Sequence, residues 1–202
     1  MDRKLPKEFY ADTNVTGLAR ALLGKVLVTR IGGVRTAGII VETEAYDGPG
    51  DRASHAFGNR RTRRTEPMFA LGGIAYVYQC YGIHFLFNVV TGIADRPQAV
   101  LVRGLQPLEG SDIMAARRGM DIAKPALTAG PGSLCRALGI NASLTGTSLL
   151  GDVVWIEDAP TVPDAEIAVG TRVGVAYAGD DALLPYRFWI RGNAWVSRAK
   201  GL

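Results

Sequence analysis

The chain is poor in the side chains that build metal sites and disulfide frameworks. Of its 202 residues, two are cysteine and two are histidine. Cys80 and Cys135 lie far apart and neither belongs to a CxxC pair, which argues against a disulfide scaffold or a zinc knuckle and for two packed thiols. The HxE and PCxxC spacing of the zinc base deaminases is missing as well. No metal and no cofactor is therefore expected. Long apolar runs are also missing: no stretch approaches the roughly eighteen residues of a membrane helix, and the opening MDRKLPKEFY has no apolar segment of a signal peptide. The expectation is a soluble, cytoplasmic protein with no membrane partner. No internal repeat is visible. Finally, Lys and Arg are absent from Ala137 to Thr171, where Asp152, Glu157, Asp158, Asp164 and Glu166 fall.

With 48% hydrophobic residues the chain is long enough for one well-packed core and short for two, so residues 1–202 are expected to form a single domain. Twenty-five glycines and ten prolines, scattered without period, point to short strands and turns. The net charge is +4, and the cation-free stretch makes the remainder more basic than that total. Arg52, Arg60, Arg61, Arg63 and Arg64 form the densest patch; Arg187, Arg191, Arg198 and Lys200 form a second. Guanidinium forks match phosphate oxygens, although such a patch also suits a merely solvated loop.

The sequence YVYQCYGIHFLFN, from Tyr76 to Asn88, reads as a hairpin. Tyr76 and Tyr78 alternate as in a half-buried strand, Tyr81 and Gly82 supply a tight turn, and an apolar strand returns from His84. A large ring at an exposed tip can wedge between stacked bases. It can equally be one surface aromatic on a core hairpin.

Upstream, Asn14 caps a predicted helix bearing Leu18, Ala19, Leu22 and Leu23, with Gly24 as its stop. Residues 25–31 and 34–46 read as two strands about a Gly32–Gly33 turn. By the strand period of two, Glu42, Glu44 and Tyr46 share one face, either as a wet surface or as a site. That strand enters the long polar loop GPGDRASHAFGNRRTRRTEP, which holds His55 and the arginine patch. Downstream, residues 98–105 read as a buried strand interrupted by Arg103, whose charge then needs an anionic or carbonyl partner. Helices are predicted over residues 111–118 and 133–138. The second follows Gly130-Pro131-Gly132, where free N–H groups suit an anion or simply begin a helix. Short strands and near-core tryptophans (Trp155, Trp189, Trp195) complete the chain.

Taken together, VETEAYDGPGDRASH, the stretch from Asn59 to Phe69, AYVYQCYGIHFLFNVV, AVLVRGLQPLEG, GPGSLCRALGI and RFWIRGNAWVS resemble the alkyladenine (3-methyladenine) DNA glycosylase family. The likeness covers nearly the whole chain in order. It implies an α/β fold of the α+β type: one compact domain with a curved antiparallel sheet, flanking helices and a protruding hairpin that intercalates into DNA. Tyr81 is then the intercalating side chain. Glu44 is implied as the general base, and Arg103 with the His55 main-chain carbonyl as holding the attacking water. Tyr46, His55 and Tyr78 would stack on a flipped base, and Asn88 would collide with a guanine amino group. Arg60, Arg61, Arg63 and Arg64 are the expected DNA contacts. The implied partner is double-stranded DNA carrying damaged purines, met by a monomer that would be associated with the nucleoid in a bacterium. Two departures stand out: Ser133 replaces a frequent Lys and Tyr186 a frequent Trp.

The residue types suit that chemistry independently. Breaking an N-glycosidic bond develops positive charge on the sugar, which a carboxylate steadies while it takes a proton from water. An alkylated purine is already cationic, so electron-rich rings favour it over a neutral base. No candidate site residue is lysine, so no Schiff base forms and the strand stays uncut. A non-catalytic stacking platform would explain Tyr78 and Tyr81 but leaves Glu44 without purpose. A carbohydrate-hydrolase pair of Glu42 and Glu44 fails because neighbours on one strand do not flank a bond. A helix-hairpin-helix enzyme rests on the GPG turn alone.

Overall fold

The computed structural model describes residues 4–199 and 201. A single helical turn, α1 (Lys7–Tyr10), precedes α2 (Val15–Ala21). Asn14 starts α2 as expected: its side-chain oxygen accepts the Gly17 N–H at 2.9 Å, filling a donor that the helix start leaves bare. Strands β1 (Val26–Ile31) and β2 (Val34–Tyr46) follow, joined by Gly32 and Gly33 at φ 61° and 78°. Two positive φ values match the twist of a hairpin, which side chains with a Cβ resist.

The remaining strands are β3 (Ala75–Cys80), β4 (His84–Thr91), β5 (Gln98–Glu109), β6 (Val154–Glu157), β7 (Ile167–Gly170) and β8 (Arg187–Ile190). All eight join one sheet, and every pairing is antiparallel. The order is β3-β4-β5-β2-β1-β6, with β8 carrying β7 alongside. Thirteen-residue β2 is the hub. Its first half pairs with β1, and Glu42 to Glu44 pair with β8 instead. Register shifts beside Ile40, Glu42 and Thr43 bend the strand there, as bulges do, and curve the sheet around the acidic residues. Strand β5 runs beyond its expected end through Pro107, which sits at another register shift where a ladder N–H is dispensable.

Alternation sorts the side chains of β3, β4 and β5 onto two faces. Val77, Phe87, Val89, Val100 and Val102 enter the main core with Leu18 of α2, and with Met114 and Leu134 of α3 (Ser111–Arg118) and α4 (Pro131–Leu138). Tyr76, Tyr78, Leu86, Asn88, Leu101 and Arg103 turn the other way and line a cavity. The free edge of β3 is covered. Ala75 N–H donates to Thr147, and the Thr145 hydroxyl donates to the Val77 carbonyl at 2.5 Å.

The β3–β4 hairpin closes as the sequence predicts, with Ile83 N–H donating to the Cys80 carbonyl at 3.2 Å. Tyr81 adopts φ 51° and Gly82 φ 72°, and Tyr81 is 88% exposed. A non-glycine residue in the left-handed region costs on the order of 1–3 kcal/mol, so the tip holds its ring outward at the expense of backbone strain. The polar loop after β2 folds into three short 3₁₀ turns, and the stretch before β8 into another rather than into sheet. Among the described residues no helix is long and apolar enough to cross a membrane.

Candidate active site

Sheet register assembles residues that lie far apart in sequence. Tyr76 faces Asn88, Asn88 faces Leu101, and Leu101 faces Glu44, forming one row across β3, β4, β5 and β2. This row underlies a cavity of about 620 Å³ whose walls include Tyr46, His55, Tyr78, Asn88 and Arg103, with Tyr81 at one side.

Glu44 lies immediately behind that wall and is fully buried. Three groups hold it, and all three residues line the cavity. Tyr46 donates its hydroxyl to Oε2 at 2.9 Å, the Val173 N–H donates to Oε1 at 2.7 Å, and Arg103 Nη1 lies 3.3 Å from Oε1. Burial, then the Glu44 charge, pushes the Tyr46 phenol well above its ordinary pKa, so the hydroxyl keeps the proton it donates. A wet face is thereby ruled out for this strand, because Glu42 is equally buried.

Glu42 anchors the layer beneath. It accepts from Arg103 Nε at 3.0 Å, Arg187 Nε at 2.8 Å, the Ser197 hydroxyl at 2.9 Å and the Ser197 N–H at 2.7 Å. Two glutamates and two arginines thus balance in a buried cluster. Burial works against the Arg103 charge, but Glu44 and Glu42 outweigh it and raise the pKa above its ordinary value. Arg103 has the anionic partners its strand position demanded. Arg187 corrects the sequence reading: it is buried in this cluster rather than part of a phosphate-facing group at the chain end. Lys200 of that group lies outside the described residues.

The rings meet opposite. His55 packs edge-on to Tyr78 with centroids 4.6 Å apart, and its Nδ1 lies 2.9 Å from the Tyr76 hydroxyl. Burial, with a smaller push from Arg64, lowers the His55 pKa to about 4, so its imidazole is neutral at pH 7. Asn88 donates its amide nitrogen to the carbonyls of Tyr76 at 3.0 Å and Leu86 at 3.4 Å, which makes it a rigid feature of the wall.

The arginine patch divides. Arg60 and Arg63 are exposed. Arg61 is committed to Glu66 at 2.6 Å and Asp95 at 2.8 Å, and lies over Phe69. Arg64 turns toward the cavity, 5.0 Å from the Tyr78 ring centre.

Sequence reasoning missed one further pair. Arg172 is fully buried, ion-paired to Asp51 through both terminal nitrogens, and donates to the carbonyls of Ala45 and Asp181 at 3.0 Å each. It also lies over the rings of Tyr46 and Tyr186. The pair fastens the loop after β2 to the segment whose next residue, Val173, holds Glu44. Its partners are 121 residues apart, and no local pattern marks either.

The chain has clear relatives. The methylpurine-DNA glycosylase family matches residues 8–194. A protein of Anaeromyxobacter dehalogenans is 50% identical over 196 residues, covering 96% of this chain and 87% of its own. One of Chlamydia abortus is 47% identical over 185 residues, covering 91% and 96%, and one of Bacillus cereus is 44% identical over 202 residues, covering 96% and 98%. All three carry the provisional name 3-methyladenine DNA glycosylase. With a match running through every strand and helix that frames the cavity, the chain belongs to the methylpurine-DNA glycosylase family.

Proposed function

We propose that this protein removes alkylated or deaminated purines from duplex DNA by hydrolysing the N-glycosidic bond, and that Glu44 activates the water. The observation that carries the reading is a fully buried carboxylate whose three partners, Tyr46, Arg103 and Val173, all form the wall of an aromatic cavity beside an exposed tyrosine. In this reading the hairpin enters the minor groove and Tyr81 fills the gap left by the extruded nucleotide. The base enters between Tyr46, His55 and Tyr78. Stacking contributes about 1–3 kcal/mol per ring against an extrusion cost of a few kcal/mol. A neutral His55 does not repel a cationic base, and Asn88 excludes one bearing an extra amino group.

Each oxygen of Glu44 accepts one hydrogen bond, Oε1 from the Val173 N–H and Oε2 from the Tyr46 hydroxyl. The Arg103 cation lies against Oε1, so we assign the proton to Oε2, the oxygen without a cation beside it. A water admitted at that wall gives its proton to Oε2, and its oxygen bonds to the sugar carbon. The glycosidic electron pair departs with the base: it neutralises an alkylated base that was cationic, whereas hypoxanthine leaves as its anion and takes up a proton from water. Arg103 orients the water with the His55 carbonyl. Among the described residues no lysine lines the cavity, and the product in this reading is an abasic site in an uncut strand. The whole chain acts as one monomeric domain in the cytoplasm, at the nucleoid, with Arg60, Arg61, Arg63 and Arg64 supporting contact with the phosphates.

The test is release of free base from duplexes carrying 3-methyladenine or hypoxanthine by wild type and Glu44→Gln. Loss of general-base help lowers the rate by about 10²- to 10⁴-fold, with duplex binding retained. Equal rates would remove Glu44 from the reaction.

A further inference from the structure

Arg64 is in an unusual position for an exposed arginine. Its guanidinium carbon lies 5.0 Å from the Tyr78 ring centre and one terminal nitrogen lies 3.5 Å from His55 Nε2, inside the cavity lining. No carboxylate reaches it within ion-pair distance among the described residues, whereas neighbouring Arg61 is fixed by two. It therefore sits on the ring by cation–π attraction, next to an imidazole nitrogen that can only accept from it. A guanidinium is a flat, delocalised cation. So is an alkylated purine, and the two cannot occupy the same face of Tyr78.

We propose that Arg64 is a resident cation of the base cavity, holding the stacking position on Tyr78 until a DNA phosphate draws it out. The inference rests on the glycosylase reading above and adds a coupling to it. Grip on the backbone and opening of the pocket become one event, because the same side chain serves both. Free cationic bases, which bring no phosphate, meet an occupied ring and an uncompensated positive charge. Bases still attached to DNA bring the phosphate that clears the site. The exposed loop position leaves the side chain free to move, unlike Arg172, which also lies over site rings but is sealed in by Asp51.

The coupling predicts opposite signs in two binding assays on one variant. Isothermal titration would use 3,9-dimethyladeninium, whose N9 methyl stands for the sugar and fixes the charge; fluorescence anisotropy would use an undamaged duplex at several salt concentrations. Arg64→Ala is expected to bind the free cation about two- to fivefold more tightly, the equivalent of one surface cation–π contact. The same variant binds the duplex more weakly, with the salt slope reduced by about one. Arg64→Lys keeps the duplex slope. Weakened binding in both assays would make Arg64 a fixed part of the wall and overturn the proposal. Unchanged affinity for the free cation would do so too, as would an unchanged duplex slope in Arg64→Ala. Base release from damaged duplex by wild type separates the two levels: if release is absent, the glycosylase reading fails, whereas release without the sign inversion sinks only the role of Arg64.

Discussion

Replacing Asp51 by alanine tests whether the hidden ion pair organises the site. In the folded protein Arg172 is 0% exposed and Asp51 2% exposed. Asp51 takes both terminal nitrogens of Arg172 and, in addition, the N–H groups of Ala53 at 2.9 Å and Asp47 at 3.2 Å. Without the carboxylate, a guanidinium remains in a dry site with two carbonyls and no directly paired counter-charge, which costs about 3–5 kcal/mol. For a chain of this size each kcal/mol lowers the melting temperature by roughly 2–4 °C, so Asp51→Ala is expected to melt about 6–20 °C lower. Asp51→Asn keeps an acceptor but loses the charge, and should fall between. The loss should also reach the chemistry, because Val173 follows Arg172 and its N–H holds Glu44 Oε1 at 2.7 Å. Single-turnover base release, measured well below the variant's melting temperature, is expected to slow even though no cavity ring has changed. Circular dichroism melts that differ by less than 2 °C between wild type and Asp51→Ala would refute the energetic argument. A destabilised variant with the wild-type release rate would refute the link to Glu44.

Two other outcomes follow from exposure and charge. Tyr81→Ala removes a ring that touches little of its own protein, so stability should stay within about 0.5 kcal/mol. Duplex affinity should drop while single-strand affinity holds, and equal losses on both would remove the wedge role. The His55 pKa of about 4 sets a pH window. The unfolded chain takes up a proton near the ordinary value of 6.5, and the folded chain does not until about 4. Stability is therefore fully present above pH 6.5 and lost as pH falls toward 4. Wild type should lose more melting temperature than His55→Gln between pH 7 and 5; parallel curves would show that the imidazole does not resist protonation.

Local features of the fold were readable in the sequence because they obey short periods. Gly32 and Gly33 mark a turn that needs two positive φ values, Asn14 a helix start, and Tyr76 and Tyr78 one face of a strand. The helix at Ser111–Arg118 was legible for the same reason, bounded by Gly110 and Gly119 in left-handed conformations. What was not legible is what sheet register decides. Nothing in the sequence brings Arg187 beside Glu42 or Arg172 beside Asp51, since each pair spans more than 120 residues. Clustering in sequence also hides how space divides the cluster: Arg61 is ion-paired to Glu66 and Asp95, while Arg64, three positions on, faces the rings.

The same limit bears on why the proposed chemistry falls to only one of two identical side chains on one strand. Period two places Glu42 and Glu44 on one face and says nothing about which could act as a base. The difference lies in the donors that register and the chain end deliver. Glu42 receives Arg103, Arg187 and the Ser197 hydroxyl on Oε1 and the Ser197 N–H on Oε2, and neither Arg187 nor Ser197 lines the cavity. Glu44 receives one donor on Oε2 and stands against residues that wall the cavity. Arg103 links them, with Nε on Glu42 and Nη1 near Glu44. The inner glutamate thus fixes the arginine that steadies the outer one, and in the proposed reaction it serves as an anchor while the glutamate against the cavity wall serves as the base.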